Sequence, residues 1–378
     1  MKWQQLLRRV LSMVKFLARQ NLAFRGHREE LSAPQGEPDA SRTNRGNFLE
    51  LAYFLAEYDS VMLNHLQMVS TSKKISVSYL SKRIQNEFIN SLGDCVRRKI
   101  IDQVKKSEYY AIMFDSTPDS SHQEKTSQVL RYVVLEGEKV TIEESFICFL
   151  PTKGKTADAM SKILDKLRKD GLDIGDCRGQ AYDNANVMAG KNKSVQRKIK
   201  EVNQRARFVA CSNHSLYLAG KHAAASTTSS ITFFGTMEKL FAFFANSTHR
   251  WDVLTSRTGA IKRISDTRWS ARADAVRAVR TQGDDDPLEL LQFIQKYNLG
   301  ISVPNIVIAS RVFLTNSVSI ASCERSFSKL ALIKKYLRST MGADRLDDLA
   351  IFSIERKFLE NNSTDQIITD FAHAKARR

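Results

Sequence analysis

The sequence predicts an α/β protein: a mixed sheet with flanking helices, preceded by a helical N-terminal region and followed by a helical C-terminal one. Three observations predict it. Apolar residues recur at helical spacing through the first hundred positions. Short β-prone runs then alternate with helical segments between about 109 and 211, and helical spacing returns beyond Asn316. With 378 residues and 42% hydrophobic content, the chain can hold two or three domains and a sizeable core.

Met1 to Arg28 carries seven basic residues and no acid, and Trp3, Leu7, Val10, Val14 and Leu17 recur at helical spacing. A mitochondrial transit peptide shares that composition, but the stretch is poor in Ser, and a basic amphipathic helix packed on the folded body is the reading adopted. The polar run Ser32 to Gly46, with Pro34, Gly36 and Pro38, reads as a loop or linker. Leu51, Phe54, Leu55, Tyr58, Met62 and Leu66 mark another helix, and a further pattern runs from about Val77 to Lys106. Residues 1–106 are therefore expected as a helical region.

Tyr109 to Phe114 is a β-prone run that stops at Asp115-Ser116-Thr117-Pro118, which puts Asp115 at a strand tip. Lys125 to Leu135, a Glu136-Gly137 turn, and the alternation of Val140, Ile142, Phe146, Cys148 and Leu150 complete an antiparallel meander. Thr156 to Lys169 is a helix with Ala159, Ile163, Leu164 and Leu167 on its apolar side and Gly171 as its stop. Cys177 to Tyr182 is a strand ending at Asp183, and after a basic helix Arg207 to Cys211 makes a fifth strand.

Three strands, helix, strand, helix, strand, with aspartates closing the first and fourth strands, is the order of a ribonuclease H-like fold. It is assigned to residues 107–280. Singly, Asp115 and Asp183 read as turn or helix-cap residues. In this order they become candidate metal ligands, with Glu324 as the third. On a helix Ile320, Glu324 and Phe327 fall at i, i+4 and i+7, which places the carboxylate on an apolar face. An ionised group there needs a metal, a cation or strong donors. The alternative is a local pair: Arg325 is badly placed, Ser328 well spaced, and Lys329 marginal.

The 58 Lys+Arg against 41 Asp+Glu leave a net charge of +17, which favours a polyanionic partner, nucleic acid first. Lys191, Lys193, Arg197, Lys198, Lys200, Arg205 and Arg207 form the densest basic stretch, which as a solvated helix face would need no partner. Five cysteines without a CxxC pair imply reduced thiols in an intracellular compartment. Cys211 and His214 could form half of a zinc site, but two ligands do not close a tetrahedron. No run of about 18 apolar residues occurs, which excludes a membrane-spanning helix from the sequence reading.

Five ordered motifs carry a resemblance: Phe114-Asp115-Ser116, Tyr182-Asp183-Asn184-Ala185, Cys211-Ser212-Asn213-His214, Thr267-Arg268-Trp269-Ser270, and Ser322-Cys323-Glu324-Arg325-Ser326-Phe327-Ser328. In this order they resemble the landmarks of hAT-type DNA transposases, most closely the domesticated vertebrate branch of zinc finger MYM-type protein 1. Leu22-Ala23-Phe24-Arg25-Gly26-His27 and Asn44-Arg45-Gly46-Asn47-Phe48 resemble the helical segment ahead of the catalytic core in that branch. The resemblance implies that Asp115, Asp183 and Glu324 hold two Mg²⁺ (or Mn²⁺) ions if the site is competent. It implies His214 near the scissile phosphate, Trp269 stacked on a flipped base, Arg268 on phosphate, and a nuclear protein that meets DNA. By itself, His214 reads as a structural histidine and Trp269 as a core anchor.

Two departures qualify the resemblance. Active hAT transposases place a long helical insertion between the tryptophan motif and the glutamate, whereas Trp269 and Glu324 stand 55 positions apart. Residues 281–315 are therefore expected as a linker replacing most of that insertion, and no N-terminal zinc-finger spacing is present. Residues 316–360 resemble the hAT dimerisation region, and 361–378 read as a polar basic tail. Leu330, Leu332, Ile333, Leu337, Leu346, Leu349, Ile351, Phe352, Ile354 and Phe358 give two helices with abundant apolar surface. That surface serves a homodimer, a heterodimer with another hAT-derived chain, or the protein's own sheet.

Two functions follow. One is a transposase-derived protein that dimerises, binds nucleic acid and is catalytically inactive. The other is an active metal-dependent transposase or nuclease, which retention of all three acids favours. Retention is weak support, because recently inactivated copies keep their residues by inheritance.

Overall fold

The computed structural model describes residues 2–26, 45–71, 78–119, 123–151, 156–182, 195–212, 215, 246–248, 287–298, 300–301, 304–334, 341–360 and 364–376. The first four helices are α1 (Lys2–Arg19), α2 (Asn47–Ala56), α3 (Ser60–Thr71) and α4 (Lys82–Ser107). On α1, Leu7, Val10, Val14 and Leu17 are buried, so the basic helix is part of the folded body and Trp3 is the member of its stripe left exposed. Arg8 pairs with Asp365 at 2.7 Å and Arg9 with Asp59 at 2.8 Å. Ser81 caps α4 by accepting the Ile84 N–H, and Phe88, Leu92, Val96, Ile100 and Val104 line the helix's buried face.

The sheet comprises β1 (Tyr110–Pro118), β2 (Glu124–Glu136), β3 (Lys139–Pro151), β4 (Cys177–Tyr182) and β5 (Arg207–Ala210), in the order β3-β2-β1-β4-β5. β2 runs antiparallel to both its neighbours, while β4 is parallel to β1 and β5 to β4. This is the expected ribonuclease H-like sheet. Gly137, at φ 58°, makes the β2–β3 turn. Helix α5 (Thr156–Lys169) links β3 to β4 and stops at Gly171, whose φ is 68°. Helix α6 (Val195–Val202) precedes β5.

Two strands depart from expectation. Asp115 is not a strand tip: β1 continues to Pro118 because β2 pairs with it along its whole length, Asp115 opposite Ser127. The parallel partner stops earlier, at the Met113–Ala181 pair, so Asp115 lies where β1 keeps one neighbour. On β3 the alternation breaks at a bulge. Gln128 pairs with Cys148 and Val129 with Phe146, which leaves Ile147 as the extra residue.

The C-terminal helices are α7 (Pro287–Lys296), α8 (Pro304–Thr315), α9 (Ala321–Ile333), α10 (Ala343–Ile354), α11 (Arg356–Glu360) and α12 (Thr364–Ala376). Residues 281–315, expected as a linker, thus contain two helices, and the expected tail carries α12, whose Ile367, Ile368 and Phe371 are buried. Phe371 stacks on Phe88 of α4, ring centroids 4.4 Å apart. Helix α4 lies on one face of the sheet, where Tyr132 donates to Gln103 at 3.2 Å. Helices α8 and α9 lie on the other, and α10 sits against α4 and β3. The apolar residues of α10, Leu346, Leu349, Ile351 and Phe352, belong to the main core. Of the open alternatives for this surface, packing on the chain's own body is therefore the one realised by α10. No helix among the described residues is long and apolar enough to cross a membrane.

Candidate functional site

Asp115 and Ser127 are opposed in an antiparallel pair and so project from the same face of the sheet. Ser326 of α9 donates to Ser127 Oγ at 2.6 Å, which identifies that face as the one α9 covers. Asp115 is half-buried there, and its Oδ1 accepts the Ser116 N–H at 3.0 Å.

Glu324 stands in the first turn of α9 and is exposed, not on the apolar face expected for it. The buried positions of α9 are Cys323, Ser326, Leu330 and Ile333, an i, i+3, i+7, i+10 stripe that leaves position 324 rotated toward solvent. Ile320 is buried as the residue before the helix begins, so its burial says nothing about the face that Glu324 occupies. An exposed carboxylate has water as a partner and needs no metal for its charge.

The Cys323 thiol is held well above the ordinary thiol range, first by burial, then by the negative charges of Asp115, Glu144 and Glu324 and by Cys211. Asp115 lies on the sheet face that α9 covers, and Glu324 lies on α9.

The ends of the parallel strands lead to this place. Tyr182, the last residue of β4, stacks on Phe114, the residue before Asp115, at 6.2 Å. Cys211 N donates to Tyr182 O at 3.3 Å, and Ser212 N donates to the carbonyl of Val318, just ahead of α9, at 3.1 Å. Asp183, His214, Arg268, Trp269, Lys191 and Lys193 lie outside the described residues. Of the Cys211 and His214 zinc alternative, only the buried Cys211 is described. Among the described residues no three His, Cys, Asp or Glu side chains form a group able to hold a metal ion. Asp115 and Glu324 are the two acids of the expected set that the described residues contain.

Helix α9 is fixed at three points that the sequence reading did not foresee. Glu144 accepts from Ser322 Oγ at the helix start and from Arg131 Nη1 at 2.5 Å, while Arg131 Nε donates to Leu314 O at 3.0 Å. Ser326 holds the middle through Ser127. At the far end Lys334 pairs with Asp119 at 2.6 Å, with side chains 5% and 1% exposed. The signal for Arg131 and Glu144 was their cross-strand register, which becomes readable only once the β3 bulge is located.

The described part of the basic stretch is a solvated surface. Val195 and Ile199 anchor α6, while Arg197, Lys200, Arg205 and Arg207 are exposed and Lys198 is half-buried. Arg197 spends one contact on Glu201 at 3.1 Å, a pair exposed on both sides.

Residues 1–194 match the family model described as the ZMYM1/FAM200, RNase-like domain. The chain belongs to the ZMYM1/FAM200 RNase-like domain family. Residues 274–358 match a second model, the hAT family C-terminal dimerisation region, which takes in α7 to α10 and the start of α11. The chain is also similar to the human "52 kDa repressor of the inhibitor of the protein kinase", 25% identical over 213 residues, covering 53% of this chain and 28% of that protein. The mouse protein of the same name is 23% identical over 288 residues, covering 72% of this chain and 36% of its own length. The chain thus spans about a third of the length of the curated relatives it matches.

In this ZMYM1/FAM200-type chain a concave feature lies where the start of α10 meets the RNase-like sheet. A groove of about 840 Å³ runs between α4, α5, the end of β3 and the start of α10, with Arg97, Lys166, Asp170, Asp347 and Asp348 in its lining. Arg97 reaches Asp94 at 2.9 Å and Asp348 at 3.3 Å, and Lys166 pairs with Asp170 at 2.5 Å. Burial pushes Asp347 up to about 7 and Asp348 up to about 6.

Proposed function

We propose that the protein is a domesticated, hAT-transposase-derived interaction protein. It associates through its C-terminal region with a second copy or another hAT-derived chain, binds nucleic acid through its basic surface, acts in the nucleus and does not cleave DNA. The observation that carries this reading is the match of residues 274–358 to the hAT dimerisation region on a chain that also bears the RNase-like family domain. Three further points support it. The net charge of +17 and the exposed Arg197, Lys200, Arg205 and Arg207 suit a phosphate backbone. Most of the transposase insertion is missing between Trp269 and Glu324. The curated relatives bear the name "52 kDa repressor of the inhibitor of the protein kinase", and a repressor is a regulatory protein. Duplex DNA binding tests the nucleic-acid half: affinity should fall steeply with salt, about tenfold or more between 50 and 200 mM for a handful of phosphate contacts. Flat salt dependence would reject a phosphate-led contact.

One observation favours a second reading, a metal-dependent DNA transposase or nuclease using Asp115, Asp183 and Glu324 with Mg²⁺ or Mn²⁺. Asp115 shares a sheet face with Ser127, and the helix that covers that face through Ser326 also bears Glu324, so two of the three acids stand on one side of the sheet. A cleavage assay with Mn²⁺ and an Asp115→Ala control separates the two readings.

A further inference from the structure

Most of the apolar surface of α10 is spent inside the chain, so a contact between copies needs another face. Among the described residues, nine of the seventeen large apolar side chains left exposed fall between Leu290 and Leu332, inside the hAT dimerisation match. Helix α7 concentrates them. Its Leu291 and Ile294 are buried, Leu291 in a cluster with Val133, Val140 and Leu314, and Gln295 Nε2 ties it to the Gly137 carbonyl at 2.6 Å. The neighbouring stripe, Leu290, Phe293 and Tyr297, is 47%, 53% and 55% exposed, with the two rings in contact at 4.7 Å. Ile301, just past α7, is 90% exposed. A helix with one apolar stripe in the core and a second in solvent has more hydrophobic surface than its own fold uses.

We propose that the outer stripe of α7 is the contact surface for a second copy of this chain, the two α7 helices lying antiparallel about a two-fold axis near Phe293. The inference rests on the association proposed above and names its surface. Charge complementarity points to a copy of the same helix. Glu289 and Lys296 are both exposed, seven positions apart and on either side of Phe293. Residues at i and i+7 share a line along the helix. In an antiparallel pair centred between Gln292 and Phe293, Glu289 of each copy faces Lys296 of the other, and the same patch serves both sides, as a two-fold interface requires. In a parallel pair that flank would face the opposite flank of the partner helix, and the match of Glu289 with Lys296 would be lost.

The test is sedimentation velocity of the 378-residue protein from about 1 to about 100 µM, the range in which small interfaces dissociate. The wild type is expected to dimerise, and Phe293→Asp to weaken the dimer at least tenfold while its thermal melt stays within a few degrees of wild type, because its side chain points away from the core stripe. Glu289→Lys should weaken association and Glu289→Lys with Lys296→Glu should restore it. A dimer untouched by Phe293→Asp overturns the α7 surface and leaves C-terminal association standing. Failure of the charge exchange to rescue overturns the antiparallel pairing. A wild type that stays monomeric overturns both.

Discussion

The Asp347 carboxylate accepts the backbone N–H of Phe149 at 3.0 Å, so a helix side chain supplies the acceptor that a further strand would offer to the outer edge of β3. Glu355, buried at the end of α10, does the same for Phe146 at 2.6 Å, on the other side of the Ile147 bulge. An open edge is a template for pairing with another chain. Here the C-terminal region closes it with two carboxylates in place of a strand.

Removing one acceptor should show what it satisfies. Asp347→Ala leaves the Phe149 N–H with no acceptor from α10 and is expected to lower stability by about 1–3 kcal/mol in urea unfolding. Asp347→Asn keeps an acceptor oxygen and should lose less than half of that near neutral pH.

The same groups set an unusual pH dependence. Burial raises Asp347 to about 7, Asp348 to about 6 and Glu355 to about 7, against the pull of Arg97, Asn90 and Lys125 on the aspartates and of Lys357 on Glu355; Asp94 and Glu143 push the other way. A carboxyl whose folded value exceeds its unfolded one contributes stability that is fully present below the unfolded value. That contribution is lost as pH rises through the folded value. Stability should therefore fall between about pH 5 and pH 8, by roughly 1–3 kcal/mol for the coupled group as a whole. Urea midpoints at the two pH values check this, and the difference should shrink in Asp347→Asn.

Gly93 should invert a familiar trend. Gly→Ala inside a helix ordinarily stabilises by about 1 kcal/mol. At position 93 a Cβ would overlap the Asp348 carboxylate and stand 2.6 Å from its Cγ, where α4 and α10 approach closely. Gly93→Ala is expected to destabilise by about 1–3 kcal/mol, read from the urea midpoint.

The Lys334–Asp119 pair holds the end of α9 against the end of β1. Lys334→Met leaves a buried carboxylate without its cation and should lower stability by about 3–5 kcal/mol. Lys334→Met with Asp119→Asn should cost clearly less, and a double-mutant cycle measures the difference.

Local signals made much of the fold legible. Helix α5 begins at Thr156 and ends at Lys169, and β4 runs from Cys177 to Tyr182, as the spacing and the Gly171 stop indicated. β1 outran its propensity because β2 continues to pair beyond Asp115, from Ser116 with Thr126 to Pro118 with Glu124, a pairing that the composition of β1 alone does not contain. α10 hides its role for a different reason. Asp347, Asp348 and Glu355 interrupt an apolar run and read as a solvent face, whereas they serve backbone donors and Arg97. Glu324 was misplaced because the apolar count began at Ile320, while the buried stripe of α9 begins at Cys323.

The most direct test of the central claim, that the retained acids serve no cleavage, is incubation of the purified protein with labelled DNA hairpins and Mn²⁺ beside an Asp115→Ala control. The expected result is bound DNA that remains intact with both proteins. Cleavage by the wild type that disappears in Asp115→Ala would contradict it and establish the metal-dependent enzyme instead.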